Sequence, residues 1–295
     1  MADFSGATIG VTGANGNLGR HVIQYLRAGG AKKIVGFTRN PDKAADLAAA
    51  GVELRRADFS DAAHLGGQLA GVERLLVIST DTLVGRAELQ SGAVDAAVKA
   101  GVSHIMYNGI TSPYPDADPS AIIPNSHYWT EVRIAASGVD FSFLRNNLYT
   151  DYQIPAAKQA IASGALYHAS GRGRRALVTR EDCAAAAAAA LLSAKGKQVF
   201  DIGGPEALSA DEIAALLSEI SGKPVKAVNI PPDALIQGMV QAGMPAEFGG
   251  VMARFDVDAG KGHLAVVSGD VEKLTGRKPR SLADFLKAHR GAIVG

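Results

Sequence analysis

A glycine-rich loop near the start of the chain constrains the fold more than any other feature. The stretch TIGVTGANGNLGRHVIQYL, residues 8–26, places Gly13, Gly16 and Gly19 between an apolar run and a helical pattern. Glycine allows the tight turn, the close approach of a pyrophosphate and close helix–strand packing, and unpaired amides at a helix start attract anions. The loop therefore predicts a dinucleotide-binding unit. A glycine-rich turn without a ligand stays open, and the spacing alone names no subclass.

Apolar runs of strand length alternate with helix-length segments through the first half of the chain. Several runs are apolar on both faces, which is typical of central strands in a parallel sheet. The predicted strands are residues 7–12, 33–38, 52–57, 74–79, 104–109 and 141–146. Two successive βαβαβ halves predict an α/β fold, a Rossmann doubly wound parallel sheet with right-handed crossovers.

The regular alternation fades after Asn146, and helical patterns dominate the second half. Helices are predicted over residues 123–138, 148–164, 181–196 and 208–223, with one more strand at residues 197–204. The seven alanines Ala184–Ala190 are expected to let their helix pack close to a sheet. We expect a Rossmann domain over residues 1–148 and a smaller C-terminal α/β substrate lobe over residues 149–295, with residues 176–204 partly returning to the Rossmann sheet.

The composition argues against several classes of partner and site. A net charge of +1 gives no general attraction to nucleic acid or acidic membranes, and no apolar run reaches the ~18 residues that span a bilayer. Cys183 is the only cysteine, which excludes an internal disulfide. The start of the chain has no basic leader segment, so we expect a cytoplasmic protein. The seven histidines show no metal-ligand spacing, so we expect no metal site.

The end of the second predicted strand indicates which dinucleotide binds. An NAD-selective site usually has Asp or Glu about 20 residues past the glycine loop, whereas this chain has Thr38 and Arg39, with Lys43 one turn later. A guanidinium binds a 2′-phosphate that a carboxylate would repel. We therefore expect NADP(H), although an exposed arginine at a strand end is the simpler alternative. Asp58 ends the third strand, where it is expected either to reach the adenine or to cap the next turn.

Other candidate residues lie at strand ends, because ligands of open α/β sheets bind beyond the carboxyl ends of the strands. Ser79 and Thr80 are expected to touch the nicotinamide ribose, with a strand-end cap as the alternative. Arg145 is expected near the same cleft. The full set of predicted cofactor-binding residues is Gly13, Asn15, Gly16, Asn17, Leu18, Gly19, Arg39, Lys43, Asp58, Ser79, Thr80, Asn108 and Gly109.

Several stretches taken together resemble the NmrA-like, atypical branch of the short-chain dehydrogenase/reductase superfamily. They are residues 11–26, GFTRNPDKAADLAAAGVELRRADFSD at 36–61, GVERLLVIST at 71–80, FSFLRNNLYTDY at 141–152, LVTREDCAAAAAAALL at 177–192 and DVEKLTGRKPRSLADFL at 270–286. Within this branch the chain is most similar to type 2 NAD(P)H:quinone oxidoreductases and triphenylmethane reductases. The resemblance implies a Rossmann lobe, a small C-terminal lobe, NADPH in the cleft between them and hydride transfer to a flat acceptor.

The chain departs from most short-chain reductases in lacking a Tyr-x-x-x-Lys motif. No tyrosine has lysine four residues later; the tyrosines are Tyr25, Tyr107, Tyr114, Tyr128, Tyr149, Tyr152 and Tyr167. The usual acid for interconverting alcohols and ketones is therefore missing. The resemblance to quinone and dye reductases implies this absence, because an electron-poor acceptor needs positioning more than an enzyme acid.

Three residues are candidates for the catalytic centre: His127, Asn146 and Tyr149. His127 shares a helical face with Glu131, four residues on, and is expected to hydrogen-bond to cofactor or acceptor, with a structural surface pair as the alternative. Tyr149, like Tyr152, is expected to stack on a flat ring, although core packing is equally common. The proline-rich residues 110–124 are expected to form a loop that closes over the substrate, or else a passive excursion.

Two functions from different classes share all these features. The first is an NADPH-dependent reductase of quinones or similar flat electrophiles, with direct hydride transfer and no flavin. The second is an NADP(H)-binding redox sensor that controls a partner with little or no turnover. The absent Tyr-x-x-x-Lys weakens a sugar-nucleotide epimerase or a carbonyl reductase. A small-molecule acceptor is the expected partner, without nucleic acid or membrane, and the choice between monomer and homodimer stays open.

Overall fold

The computed structural model describes residues 3–118 and 121–294 and is built around a parallel β-sheet. The described strands are β1 (Thr8–Val11), β2 (Lys33–Thr38), β3 (Glu53–Arg56), β4 (Arg74–Ile78), β5 (His104–Ile110), β6 (Asp140–Asn146), β7 (Ala165–His168), β8 (Arg174–Arg175), β9 (Lys197–Ile202), β10 (Leu208–Ser209) and β11 (Lys226–Asn229). Seven of them form the central sheet in the order β3-β2-β1-β4-β5-β6-β9, and every neighbouring pair is parallel. This confirms the predicted doubly wound Rossmann sheet.

Helices cover both faces of the sheet and build the rest of the molecule. They are α1 (Asn17–Ala28), α2 (Ala45–Ala49), α3 (Ala62–Gln68), α4 (Arg86–Lys99), α5 (Ile122–Ala136), α6 (Gln153–Ser163), α7 (Arg180–Ser193), α8 (Ala210–Ser221), α9 (Pro232–Gln241), α10 (Ala246–Gly260), α11 (Asp270–Thr275), α12 (Leu282–Ala288) and α13 (Arg290–Val294). Two 3-10 turns lie at Pro41–Ala44 and Thr150–Tyr152. Within the described residues, no helix is long and apolar enough to cross a bilayer.

The strands are apolar on both faces because each face is covered by a separate helical layer. On β2, Ile34 lies in a cluster with residues of α1 and α7, while Val35 and Phe37 lie in another with residues of α3, α4 and α5. Strand order reverses between β1 and β4, so the connections from these two strands diverge and leave a crevice at their carboxyl ends. That crevice is where the fold places a ligand.

The alanine-rich helix α7 lies directly against the sheet and α1. Ala184, Ala187 and Cys183 are fully or almost fully buried in the same cluster as Ile9 and Leu76, which belong to β1 and β4. A methyl side chain lets the helix axis approach the strands closely, so the alanine run is a packing surface. The Thr179 side chain caps the first turn by accepting a hydrogen bond from the amide of Asp182.

A buried arginine satisfies the carbonyl groups at the other end of α7. Arg74, at the start of β4, donates from Nε to the Leu191 carbonyl at 2.7 Å and from Nη2 to the Ala194 carbonyl at 2.6 Å. The ring of Phe4 lies 4.0 Å from its Cζ. Burial lowers the pKa of Arg74 to about 10, which still leaves the side chain charged near neutral pH. Arg74 therefore joins helix, sheet and N-terminal segment.

Arg74→Met is expected to destabilise the fold, because it leaves the last carbonyls of α7 buried without a donor. The free energy of unfolding should fall by about 2–3 kcal/mol, the usual effect of losing hydrogen bonds from a charged donor. Urea denaturation followed by circular dichroism measures it. Arg133→Met is the matched control, since Arg133 is half exposed in its pair with Asp95 and should contribute less than about 1 kcal/mol. Equal effects for the two variants would contradict the role given to Arg74.

The C-terminal half builds a third apolar cluster beside the sheet. Ile161 of α6, Leu217 of α8 and Phe285 of α12 pack together there, flanked by the pairs β7–β11 and β8–β10. After β6 the chain enters this region. It then returns to the central sheet, because α7 packs on that sheet and β9 is one of its strands. The proposed domain boundary between residues 148 and 149 stays a prediction.

The segment predicted as a loop at residues 110–124 is shorter than expected. Ile110 completes β5, and α5 already begins at Ile122. Pro124 lies in the first turn of α5, where its missing amide hydrogen breaks no helical bond, so this proline does not delay the helix. Pro119 and Ser120 lie outside the described residues.

Candidate active site

A single large cleft lies at the carboxyl ends of the central strands, with a volume of about 1090 Å³. All sixteen residues predicted for the site line it. They are Gly13, Asn15, Gly16, Asn17, Leu18, Gly19, Arg39, Lys43, Asp58, Ser79, Thr80, Asn108, Gly109, His127, Asn146 and Tyr149. Their contacts indicate what each can do, while their roles toward a ligand stay predictions.

The glycine loop has the geometry that a bound pyrophosphate requires. Gly13 has φ of +59°, which disfavours other residues. A Cβ on Gly19 would lie 2.3 Å from the carbonyl oxygen of Gly13, so only glycine lets α1 start this close to the loop. A Cβ on Gly16 would lie 3.2 Å from the same oxygen, a tight but tolerable contact. The first and third glycines therefore shape the turn, and the second leaves space above it.

The start of α1 offers backbone donors to the cleft. No side chain caps the helix, whose first residues Asn17, Leu18 and Gly19 all line the cavity. Their amides precede the first intrahelical bond, from Arg20 to the Gly16 carbonyl. The Asn15 side chain is engaged by the Arg20 guanidinium, which also pairs with Asp46. Asn15 thus braces the loop through its side chain, and an anion site at the helix amides stays a prediction.

Two cations stand at the end of the cleft beside β2. Arg39 and Lys43 line the cavity, and within the described residues neither side chain makes a hydrogen bond or an ion pair. Asp58 accepts hydrogen bonds from the Ser60 amide at 2.9 Å and hydroxyl at 2.8 Å, and these bonds lower its pKa. Asp58 therefore both caps the next turn and lines the cleft. This end fits a phosphate that bears a double negative charge.

An amide and phenol cluster occupies the floor beyond β5 and β6. Asn146 donates from Nδ2 to Asn108 Oδ1 at 2.6 Å, and both side-chain amides donate to the Tyr149 hydroxyl, at 3.3 and 3.4 Å. Asn146 Oδ1 is buried without a partner among the described residues. Burial raises the pKa of Tyr149 to about 12, so its hydroxyl keeps its proton. The cluster offers an O–H donor and an unused acceptor to a bound group.

His127 is buried and its hydrogen bonds fix its tautomer. Arg86 Nη2 lies 3.3 Å from His127 Nε2, and the Tyr107 hydroxyl lies 2.7 Å from Nδ1. A guanidinium can only donate, so Nε2 accepts and the proton is on Nδ1, which donates to Tyr107. The Tyr107 hydroxyl donates in turn to Gln90 Oε1 at 3.3 Å. Burial and the Arg86 charge hold the pKa of His127 well below its ordinary value.

The alternative prediction for His127, a surface pair with Glu131, is wrong. Both residues are buried, and Glu131 binds Arg145 instead, with its Oε2 at 2.6 Å from Arg145 Nη2. Arg145, which was expected near the cleft, does not line it, because side chains alternate along β6 and Asn146 is the one that lines the cavity. The helical spacing correctly put both residues on one helix but did not indicate their partners.

One wall of the cleft comes from α10 and was not predicted. Phe248, Val251, Met252 and Phe255 line it, spaced as one face of a helix. The segment after β5 is fastened to this helix. The Tyr114 hydroxyl donates to Asp258 at 2.6 Å, and Arg254 pairs with Asp116, Asp118 and Asp258. The apolar periodicity of residues 248–255 is visible in the sequence, but nothing local indicates that it faces a cleft.

Arg180 and Arg86 are further lining residues that sequence reasoning missed. Arg180 Cζ lies 5.1 Å from the Tyr149 ring centroid and 4.9 Å from that of Tyr152, and the two rings are stacked 6.0 Å apart. Stacking of this kind positions Tyr149 and leaves Tyr152 half exposed at the rim. Within the described residues, no group of three or more His, Cys, Asp or Glu side chains could hold a metal ion.

Comparison with known proteins places these features in a family context. The sequence profile of the NmrA-like family matches residues 5–286. The chain is 36% identical over 279 residues to quinone oxidoreductase 2 of Escherichia coli strain K12, covering 94% of this chain and 96% of that protein.

Two solved structures are similar over nearly the whole chain. The first is the NADPH-dependent quinone oxidoreductase of Escherichia coli complexed with NADPH, with a TM-score of 0.89, 34% identity and coverage of 96% of this chain and 99% of that one. The second is the triphenylmethane reductase of Citrobacter sp. complexed with NADP(H), with a TM-score of 0.87, 32% identity and coverage of 95% and 99%.

Proposed function

The chain belongs to the NmrA-like family, and from this premise we propose that it is an NADPH-dependent oxidoreductase that transfers hydride to a quinone or a similar flat electrophilic acceptor. One observation carries the proposal. A single cleft joins an anion-binding loop and two unpaired cations at one end to a polar cluster and an apolar helix face at the other. The relatives from Escherichia coli and Citrobacter, with NADPH or NADP(H) bound, support the same activity.

The residues fit NADPH along the length of the cleft. The amides of Asn17, Leu18 and Gly19 would hold the pyrophosphate, and Gly16 leaves the backbone open to it. Arg39 and Lys43 would bind the 2′-phosphate. The remaining contacts would come from Asp58 at the adenine, Ser79 and Thr80 at the nicotinamide ribose, and Asn108 and Gly109 beneath the ring. These assignments rest on position and chemistry.

The cofactor supplies a hydride, and the protein must position the acceptor and manage its growing negative charge. The α10 face excludes water from one side of the acceptor, and a flat ring fits against Phe248 and Phe255. The Tyr149 hydroxyl, which has its proton free of acceptors among the described residues, would donate a hydrogen bond to the acceptor oxygen. Two electrons and a hydrogen pass to the quinone with the hydride, and solvent supplies the second proton.

The direct test is oxidation of NADPH by the purified protein against a panel of quinones, triarylmethane dyes, enones and aldehydes. Turnover is expected with quinones and absent with simple aldehydes, because reducing an aldehyde to an alcohol needs the acid that this chain lacks. Tight NADPH binding without turnover of any acceptor would refute the reductase and favour the redox sensor.

His127→Ala is expected to lower kcat with a quinone by no more than about tenfold, short of the 10²–10⁴-fold that general acid catalysis supplies. His127 Nε2 accepts from Arg86, and its depressed pKa keeps the imidazole neutral, so it has no proton to give at that atom. The dependence of kcat on pH should keep its shape. A thousandfold loss, together with the disappearance of an ionisation near pH 6.5, would make His127 the acid.

We also propose a cytoplasmic location and a monomer or homodimer that binds neither nucleic acid nor membrane. A single buried cysteine suits a reducing compartment, and a net charge of +1 gives no field for polyanions. Cell fractionation tests the location, and analytical ultracentrifugation tests the oligomeric state.

A further inference from the structure

Arg86 is a buried cation in the wall of the cleft that forms no ion pair among the described residues. It is the first residue of α4, is only 5% exposed and lines the cavity next to His127. Its only hydrogen-bond partner among the described residues is the neutral His127 Nε2, and its Nε is buried with no partner. Asp81, in the preceding loop, is exposed and forms no ion pair with it. The guanidinium thus has donors to spare.

Two other buried arginines, Arg74 and Arg254, have carbonyl or carboxylate partners that Arg86 lacks. Arg254 is held by three carboxylates, and Arg74 donates to main-chain carbonyls at the end of α7. An unpaired buried charge is costly, and a cation is disfavoured at the positive end of a helix such as α4. A partner that enters the cleft would remove this cost.

The position of Arg86 favours an acceptor oxygen over a cofactor phosphate as that partner. The predicted phosphate groups follow β1 and β2, which lie on one side of the point where strand order reverses. Arg86 follows β4, on the other side, and shares its wall with His127 and Ile123. The cofactor phosphates therefore already have their donors elsewhere.

We propose that Arg86 determines acceptor specificity by donating hydrogen bonds to an oxygen of the acceptor, so that the protein prefers neutral quinones and anionic quinones to cationic dyes. This inference rests on the proposed reductase function. Hydride transfer oxidises NADPH to NADP⁺, reduces the quinone by two electrons and leaves negative charge on its oxygen until solvent protonates it. A guanidinium stabilises that charge, whereas a triarylmethane cation offers it no oxygen and is repelled.

Arg86→Met tests the proposal, because methionine keeps an apolar stem and removes charge and donors. For a neutral naphthoquinone, kcat/KM should fall about 10- to 100-fold, the range for a lost charged hydrogen bond. A sulfonated naphthoquinone should lose at least as much, and its Kd measured by calorimetry should rise in parallel. Activity with a cationic triarylmethane dye should stay level or increase. Arg86→Lys should restore part of the preference, and Arg133→Met, which removes an exposed charge on α5, should change none of these values.

Three results would overturn the proposal. An equal loss for neutral, anionic and cationic acceptors would mean that Arg86 only supports the fold of the wall. A rise in the Kd of NADPH that accounts for the whole loss would make it a cofactor ligand. Unchanged kinetics with every acceptor would leave it without a role. Failure of the reductase function is recognised separately, since the unmodified protein would then bind NADPH and reduce nothing.

Discussion

Gly16→Val is expected to abolish detectable NADPH binding while the protein stays folded. The valine side chain would stand over the amides of Asn17 and Leu18, in the space that the pyrophosphate needs. Losing two charged hydrogen bonds of about 1.5–3 kcal/mol each raises Kd by a factor of at least about 100. Calorimetry measures the affinity. The backbone of Gly16 is extended, with φ of −78° and ψ of 166°, and a β-branched residue adopts this conformation readily.

The control for this change is Gly67→Val, at an exposed position of helix α3. A Cβ at Gly67 meets nothing within 4 Å, so the variant adds the same side chain away from the cleft. Far-ultraviolet circular dichroism should be unchanged for both variants, and only Gly16→Val should lose NADPH. Wild-type affinity in the Gly16 variant would remove the loop from the binding site.

Arg39→Ala should weaken the binding of NADPH much more than that of NADH. Arg39 lines the cleft without a hydrogen bond or ion pair among the described residues, so its removal breaks neither and weakens only the longer-range attraction between its charge and Asp58. The Kd of NADPH should rise about 10- to 100-fold through loss of a charged hydrogen bond to the 2′-phosphate, whereas that of NADH should barely change. The ratio of the two dissociation constants is the quantity to measure.

Arg56→Ala separates a specific contact from the general field of positive charge at this edge of the sheet. Arg56 ends β3, is exposed and also acts on Asp58, but it does not line the cleft. Loss of Arg56 should change the ratio of the Kd of NADPH to the Kd of NADH by less than about twofold, because exposed charges are screened by salt. If Arg39→Ala weakened NADPH and NADH equally, the assignment of the 2′-phosphate to Arg39 would be wrong.

The cofactor half of the cleft was predictable because its residues lie next to strand ends in the sequence. Gly16, Arg39, Asp58 and Ser79 each follow one of four predicted strands, and the parallel sheet brings those ends to one edge. The same rule located Asn108. The local sequence pattern and the sheet topology together were enough to predict which of these residues line this half of the cleft.

The acceptor half was not predictable in the same way. Phe248 and Phe255 reach the cleft from a helix more than 200 residues after the glycine loop, and no local signal pairs α10 with β5. Arg86 was not among the candidate residues, and only the structure shows that it is buried at the start of α4. The strand end alone did not indicate that Asn146, and not Arg145, lines the cleft, because that depends on how side chains alternate along β6. Contacts between segments distant in sequence decide these positions.

The buried position of Cys183 affects how readily quinones can inactivate the protein by reacting with a thiol. Quinones arylate accessible thiolates by conjugate addition, and the thiolate rather than the thiol is the nucleophile. Cys183, the only cysteine of the chain, is 1% exposed on the face of α7 that packs against the sheet, and burial raises its pKa well above the ordinary value. The thiol is thus shielded and almost entirely protonated at neutral pH. A reductase built this way escapes covalent inactivation at cysteine by the electrophiles that pass through its cleft.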